Sequence, residues 1–241
     1  MILTGHQPQY LPYIGLFNKI AKSDIFCFVD NVQFEKESWQ KRTLIKTPTD
    51  EQIFISIPVK SISSTQLIKD IEIADIKMLN KHLKTIEQNY KKAEYFHEIY
   101  PNLLKFYKDN IKYLIDLTIP IMEFFINLLN IKTKIVYSSD FIIEGKKTEL
   151  LANRCKTLGC DVYLLGQGAK NYFEPNIFKF NNLNYLFNYF VHPVYKQTGK
   201  KFLEGMAIID LFFNEGIENS RKIFWDNINN NPKFEDNSQI L

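Results

Sequence analysis

The first 46 residues alternate clearly between apolar and polar segments. Apolar Ile2 and Leu3 open the sequence and lead to Thr4 and Gly5, which end the run. Within residues 14–21 the apolar side chains recur at helical spacing, at Ile14, Phe17, Ile20 and Ala21. Residues 25–29 are then almost continuously apolar, as is typical of a strand covered on both faces. The pattern therefore predicts a strand, a helix and a second strand.

A strand–helix–strand unit of this length is a right-handed parallel crossover in nearly all proteins. The polar loops at residues 6–12 and 31–42 then follow the carboxyl ends of neighbouring strands. Open α/β sheets bind their ligands in the crevice at that edge. His6 and Asp30 each stand at the end of one of these strands, so we expect a ligand site around them.

The middle of the chain changes from strand to helix periodicity. Residues 52–59 alternate as a strand does, and residues 67–73 form a second short strand-like segment. Apolar stripes at helical spacing then dominate residues 75–130, with a kink expected at Pro120. We interpret this region as a helical lobe that is inserted into the fold and packs on the sheet, where it could cover the crevice.

The α/β pattern returns after residue 133. Strands are predicted at residues 134–137, 161–165 and 183–189, and helices at residues 146–158, 206–214 and 218–225. Gly159 suits the left-handed cap that ends the first of these helices, and residues beyond 228 are expected to fray. The predicted fold is a single α/β domain over residues 1–241, with a Rossmann-like, mostly parallel sheet and a helical lobe at about 75–130.

Charge, cysteine content and the lengths of the apolar stretches argue against several classes of protein. The net charge of +3 is small, and Lys and Glu are interspersed, so a dedicated nucleic-acid binder is not expected. The sparse cysteines, Cys27, Cys155 and Cys160, fit a reducing cytoplasm. They lack zinc-site spacing, and no metal site is predicted. The start of the chain lacks a signal-peptide pattern, and the longest apolar stretch, residues 113–129, is too short and too charged to span a membrane.

The first candidate site lies in the loop after strand one, where His6, Gln7 and Tyr10 stand close together. A histidine at this position can donate to a phosphate oxygen as charge develops in a transition state. The layout is similar in position to the HIGH-type loop of nucleotidyltransferases, although a second histidine is missing. Alternatively, His6 caps the loop by bonding to the backbone.

The second candidate site follows strand two. Asp30 could bind a ribose hydroxyl or hold Mg²⁺ through water, with Gln33 as a further polar contact. Arg42 could bind phosphate in a bidentate manner, and Lys46 could assist it. Trp39 offers an apolar face for a base or a sugar ring.

Two later segments complete the set of candidates. Gly166 and Gly168 allow close approach of a ligand to the backbone, and Tyr172 ends that loop, although a plain turn fits as well. His192, Tyr195 and Gln197 could reach one site from an extended segment, or form a surface loop. His82 and His97 lie among charged residues, so both are expected to be solvated.

Taken together, these segments resemble the WbqC-like protein family. The resemblance is carried by residues 6–42, then by DVYLLGQGAKNY at 161–172, HPVYKQ at 192–197 and IIDLFFNEG at 208–216. It spans nearly the whole chain, with mild departures at Tyr13, often Trp in the family, and Leu165, commonly Ser. The matched polar positions are His6, Gln7, Tyr10, Asp30, Gln33, Trp39, Arg42, Gly166, Gly168, Tyr172, His192, Tyr195 and Asn214. Together with the strand-end geometry, the resemblance implies that the four segments line one pocket.

The family is associated with O-antigen and other surface-polysaccharide pathways, and some members are described as glycine or aminoacyl transferases. The resemblance therefore implies a cytoplasmic transferase that adds an aminoacyl or acyl group to a nucleotide-linked amino sugar. If ATP activates the transferred group, ATP and Mg²⁺ would be the cofactors. The candidate catalytic residues are His6, Asp30 and His192. The alternatives are a nucleotidyltransferase that makes the activated sugar, and a non-catalytic sugar-nucleotide-binding protein. The oligomeric state is not predicted.

Overall fold

The computed structural model describes residues 1–60, 63, 65–108 and 110–235. In chain order its strands are β1 (Ile2–His6), β2 (Ile25–Phe28), β3 (Arg42–Lys46), β4 (Gln52–Ser56), β5 (Lys134–Tyr137), β6 (Val162–Leu165) and β7 (Asn184–Phe187). Its helices are α1 (Ile14–Ala21), α2 (Ile76–Tyr90), α3 (Phe96–Leu104), α4 (Ile115–Leu128), α5 (Lys147–Thr157), α6 (Pro175–Phe180) and α7 (Ile208–Asn230). Both predicted crossover units are present.

Five strands form a parallel sheet in the order β5-β2-β1-β6-β7. The chain winds outward from β1 through β2 to β5, and then crosses back to β6 on the other side of β1 before ending at β7. The strand order therefore reverses between β1 and β6. A parallel sheet wound in both directions is the Rossmann-like α/β arrangement, so the predicted fold class is confirmed.

The alternation of side chains along β2 divides the core into two layers. Phe26 and Phe28 point into the larger cluster, which also contains Phe17 of α1 and Phe125 of α4. Ile25 and Cys27 point into a smaller cluster on the opposite face, together with side chains of α5 and α6. Because β2 is buried along its whole length, its nearly continuous apolar sequence follows from contact on both faces.

The helices α2, α3 and α4 occupy the segment predicted to be helical. Their buried side chains join the same cluster as β2 and α1, which confirms that this segment packs on the sheet. Pro101 lies inside α3 and Pro120 inside α4. Among the described residues, no helix has both the length and the apolar character needed to cross a membrane.

Two predictions of local structure were wrong, and one strand was not predicted. The polar-looking residues of β3 form an antiparallel hairpin with β4, separate from the main sheet. The segment 67–73 contains a single 3₁₀ turn at Ile68–Asp70 rather than a strand. The chain after Ile228 does not fray at once, because α7 continues to Asn230 and the Glu235 N–H donates to the Phe187 carbonyl at 2.9 Å. The rest of that prediction, residues 236–241, lies outside the described residues.

The two predicted C-terminal helices form α7, interrupted at Gly216. Gly216 has a φ of 70° and a ψ of −179°, which is not helical. A Cβ at this position would lie 2.7 Å from the ring of Tyr95, so both the backbone conformation and the close contact favour glycine. Gly159 also has the predicted positive φ, at 66°.

Candidate functional site

A crevice of about 830 Å³ opens at the carboxyl ends of β1 and β6, where the strand order reverses. This is the edge of an open α/β sheet at which ligands bind. The residues that line the crevice are Gly5, His6, Gln7, Lys19, Val29, Val32, Glu35, Lys147, Leu150, Leu151, Arg154, Tyr163, Leu165, Gly166, Gly168, Ala169 and Tyr172. A side cavity of about 440 Å³ adjoins it and shares four of these residues, namely His6, Lys19, Gly166 and Gly168.

His6, the last residue of β1, stands between the crevice and the side cavity. Its Nδ1 lies 2.9 Å from the Gln7 carbonyl oxygen. Since a carbonyl oxygen only accepts, Nδ1 must carry the hydrogen, and the neutral ring presents a lone pair at Nε2. Burial, followed by the nearby Lys19 cation, lowers the pKa of His6 to about 4. At neutral pH His6 is therefore neutral, and its Nε2 can accept a hydrogen bond or a proton. The bond from Nδ1 to the backbone is the loop contact expected from the sequence as the alternative role of His6.

Lys19 is a site residue that the sequence did not reveal. It lies on α1, is 7% exposed, and donates from Nζ to the Gly5 carbonyl oxygen at 3.1 Å. Burial lowers the pKa of Lys19 to about 8. Its ammonium group lies across the crevice mouth from Gly166, 3.9 Å from where a Cβ of that residue would stand.

Arg154 is the second site residue that sequence reasoning missed. It lies on α5 and lines the crevice, yet only 2% of its surface is exposed. Its Nε has no hydrogen-bond partner, and its Nη2 donates to the Ser138 Oγ over a long 3.5 Å. Burial raises the pKa of the neighbouring Tyr163 hydroxyl to about 12, and the Arg154 cation opposes that rise. Within the described parts of the chain, no ion pair includes Arg154.

Four of the residues predicted from the sequence join His6 at the crevice. They are Gln7, Gly166, Gly168 and Tyr172. Gln7 is oriented by the Gln40 amide, which donates to its Oε1 at 2.8 Å. The strand end at Gly5 also needs a glycine, because a Cβ there would stand 2.9 Å from the Tyr163 hydroxyl.

Asp30 occupies a different position from the one expected of a ribose or Mg²⁺ ligand. The residue is 3% exposed, and it is absent from the crevice lining. Its Oδ1 accepts from the Ser139 N–H at 2.9 Å, and its Oδ2 accepts from the Ser139 hydroxyl at 2.6 Å. Asp30 thus ties the end of β2 to the turn after β5. Gln33 is exposed and pairs as an antiparallel bridge with Leu67.

Tyr10, Trp39 and Arg42 lie around a separate, mostly apolar cavity of about 380 Å³. Tyr10 is fully buried, and its hydroxyl shares a 2.7 Å hydrogen bond with the Tyr107 hydroxyl. The Arg42 guanidinium already has two partners within the protein. Its Nη1 donates to Glu37 at 2.7 Å, and the group lies 4.7 Å from the centre of the Phe54 ring. Trp39 is 45% exposed, in agreement with an apolar face open to solvent.

The segment with His192, Tyr195 and Gln197 packs against α7 and does not line the crevice. The Gly205 N–H donates to His192 Nε2 at 3.2 Å, while His192 Nδ1 donates to the Pro193 carbonyl at 2.9 Å. The side chains of Tyr195 and Gln197 both donate to Asp210 Oδ2, at 2.9 and 2.8 Å. The crevice therefore collects residues from three of the four predicted segments, since Val32 and Glu35 of the second segment also line it, whereas the segment at 192–197 lies elsewhere.

Two histidines of the helical segment have different environments. His97 is exposed, as expected. The prediction for His82 was wrong, because this residue is 6% exposed and its ring lies 6.1 Å from that of Tyr10. Burial lowers the pKa of His82.

The crevice is suited to an anion. Lys19, Lys147 and Arg154 contribute positive charge, and among the described residues of its lining Glu35 is the one carboxylate. Across the described residues, no group of three or more His, Cys, Asp or Glu side chains could hold a metal ion. These residues fit a phosphate group.

Comparison with known proteins assigns the chain to a family. The family model described as the WbqC-like protein family matches residues 7–222. A protein of Mycobacterium tuberculosis, itself described as uncharacterized, is 31% identical over 215 residues, which cover 88% of this chain and 93% of that protein. No solved structure matches the chain significantly.

Proposed function

Since the chain belongs to the WbqC-like protein family, we propose that it is a cytoplasmic transferase of surface-polysaccharide biosynthesis such as O-antigen assembly. Its acceptor would be a nucleotide-linked amino sugar, and the transferred group an aminoacyl or acyl group such as glycine. The pathway and substrate classes follow from the resemblance to the family. The reaction type rests on one observation in the crevice, the state of His6.

His6 is held neutral, with Nδ1–H bound to the Gln7 carbonyl and the Nε2 lone pair left for a ligand. Acyl transfer to an amine can use such a group, because the nitrogen must lose a proton as it attacks the acyl carbon and a neutral imidazole nitrogen can accept it. In the proposed step, the bond between the sugar nitrogen and the acyl carbon forms, and the bond from that carbon to its leaving group breaks. The proton passes from nitrogen to His6 Nε2.

Lys19 supplies the positive charge beside this base. At neutral pH, below its pKa of about 8, its ammonium group is largely protonated. A buried cation next to the reacting atoms stabilises negative charge on the carbonyl oxygen or on the leaving group as it develops. Its bond to the Gly5 carbonyl fixes the ammonium group at the same strand end as His6.

ATP could activate the acyl group, and the cations of the crevice fit its phosphates. If Mg²⁺ accompanies ATP, Glu35 is the carboxylate among the described lining residues that would contact it, with the phosphates supplying further oxygen ligands. The rival reaction, nucleotidyl transfer, uses a histidine that donates to phosphate. His6 is set up in the opposite sense, since its donor nitrogen is already bonded to the backbone.

Pyrophosphate exchange with ATP separates these reactions. Exchange that depends on glycine supports activation of the amino acid, whereas exchange that depends on a sugar phosphate supports nucleotidyl transfer. If there is no exchange and no nucleotide raises the melting temperature, ATP has no role.

Transfer of radiolabelled glycine to a panel of nucleotide-linked amino sugars tests the role of His6. We expect His6→Asn to lose about 10²-fold or more in kcat, which is typical when a general base is removed, while its melting temperature shows a retained fold. His97→Asn, at an exposed histidine outside the crevice, is the matched control. Turnover by His6→Asn equal to that of the wild type would remove His6 from the mechanism.

A further inference from the structure

The Arg154 guanidinium is a buried charge without a counter-ion. It is 2% exposed, its Nε has no hydrogen-bond partner, and its hydrogen bonds to side chains, at 3.5 Å to the Ser138 hydroxyl and to the Tyr163 hydroxyl, reach neutral groups. A guanidinium keeps its charge in proteins, and burying a charge is costly unless an opposite charge or strong hydrogen bonds compensate for it. Among the described residues no carboxylate forms an ion pair with Arg154, so a bound anion would compensate its charge.

The position of Arg154 shows where that anion would lie. Arg154 lies on α5 beside Tyr163 and lines the same crevice as His6 and Lys19. We propose that Arg154 anchors the phosphate groups of the nucleotide-linked substrate, an inference that rests on the proposed function. Its planar fork of N–H donors matches the oxygens of a phosphate group in a bidentate manner.

The charge balance of the crevice favours a diphosphate over a single carboxylate. Lys19, Lys147 and Arg154 give three positive charges against the one carboxylate of Glu35. A diphosphate that links a nucleoside to a sugar carries two negative charges, which neutralise this excess. A carboxylate ligand would neutralise only half of it.

The shape of the crevice also fits a ligand larger than a phosphate ion. Its volume of about 830 Å³ lies within the range of pockets that hold ligands with several rings. Apolar side chains from the two sides, including Val32, Leu151 and Tyr172, form walls next to the cations. With the diphosphate at Arg154, the sugar would extend toward His6, and the nucleoside toward the apolar wall.

Binding measurements by calorimetry and thermal shift test this assignment in the full chain. The probes are uridine diphosphate, inorganic pyrophosphate, uridine and acetate. We expect the wild type to bind the two phosphate probes, with weak or no binding of uridine and acetate. Arg154→Met should raise the dissociation constant of the phosphate probes by about 10- to 100-fold, since a hydrogen-bonded charged contact is lost.

The ligand-free variants distinguish a binding role from a structural one. A methionine removes an uncompensated buried charge, so the melting temperature of ligand-free Arg154→Met should equal or exceed that of the wild type. An arginine that merely supported the fold would give a clear drop in melting temperature while phosphate binding by the folded protein stayed unchanged, and that result would overturn the proposal. Arg42→Met is the matched control. Arg42 is paired with Glu37 outside the crevice, and binding should not change.

Arg154→Lys covers the case in which the methionine variant fails to fold. It keeps the charge but loses the bidentate fork, so binding of pyrophosphate should weaken while the fold is retained. Unchanged phosphate binding in either Arg154 variant would overturn the assignment. Binding of acetate that depends on Arg154, with no binding of pyrophosphate, would replace phosphate by a carboxylate and also overturn it.

The result does not depend on the transfer assay. If nucleotide binding requires Arg154 but no acyl transfer is found, the proposed function fails and the phosphate site stands. If transfer is found but phosphate binding ignores Arg154, the phosphate site fails and the proposed function stands.

Discussion

His6 should make the free energy of unfolding depend on pH, and a glutamine at this position should remove that dependence. Burial, with the Lys19 cation beside it, lowers the pKa of His6 from 6.5 to about 4 in the folded protein. In the unfolded chain the ring regains its ordinary pKa. His6→Gln keeps a polar side chain there but cannot titrate.

The direction and the size of the pH effect on the free energy of unfolding follow from this pKa shift. At pH 7.5 the ring is neutral in both states, so the full stability is present. As the pH falls below 6.5, the unfolded chain takes up a proton that the folded chain does not, and stability is lost as the pH approaches 4. By pH 5 the loss due to His6 is about 2 kcal/mol, out of about 3 kcal/mol for the whole shift.

Urea titrations at pH 7.5 and pH 5 measure this difference. The wild type should lose about 2 kcal/mol more than His6→Gln between the two pH values. His82 and His192 also have lowered pKa values, and their contributions cancel because both proteins contain them. His97→Gln, at an exposed site, should behave as the wild type does. Equal losses in the wild type and His6→Gln would refute the view that the folded protein holds this ring neutral.

Two further substitutions test the contacts that shape the site, both by urea titration of the free energy of unfolding. Gly5→Ala should destabilise the protein by about 1–3 kcal/mol, because its Cβ would stand 2.9 Å from the Tyr163 hydroxyl and 3.1 Å from Val29 Cγ2, whereas Gly168→Ala meets nothing within 4 Å and should change little. A similar cost for both would mean that close packing at the end of β1 does not matter. Asp30→Asn should cost about 1–3 kcal/mol, because an amide can replace only one of the two acceptors that bind Ser139. Unchanged stability, combined with lost transfer activity, would return Asp30 to the role of a substrate ligand.

Much of the fold could be predicted because the signals are local. The strands β1, β2, β5 and β6 are short apolar runs, and α1 and α5 have regular spacing, so their order already implied a parallel sheet. The hairpin strand β3 was missed because its sequence, RTLIK, looks like a polar loop. It becomes a strand through its pairing with β4, and buried Lys46 is paired with Asp50 at 2.7 Å. Such long-range partners leave no periodic pattern in the sequence.

The candidate site was predicted only in part, because local sequence signals locate the strand ends but do not reveal long-range partners. Residues at strand ends, such as His6, Gly166 and Gly168, follow from the element order, and the structure brings them together. Asp30 also stands at a strand end, but its carboxylate is occupied by Ser139, which is 109 residues away along the chain. Occupancy of this kind depends on tertiary contacts.

The sequence by itself determined the element order, the parallel sheet and the edge at which a ligand would bind. Only the tertiary structure decided which charged side chains line the crevice at that edge of the sheet. Lys19 and Arg154 look in the sequence like ordinary cations on amphipathic helices, where most such groups are solvated. Their significance comes from burial without an acidic partner in the part of the chain that the structure describes. That property depends on every residue packed around them, and neighbours in sequence do not define it.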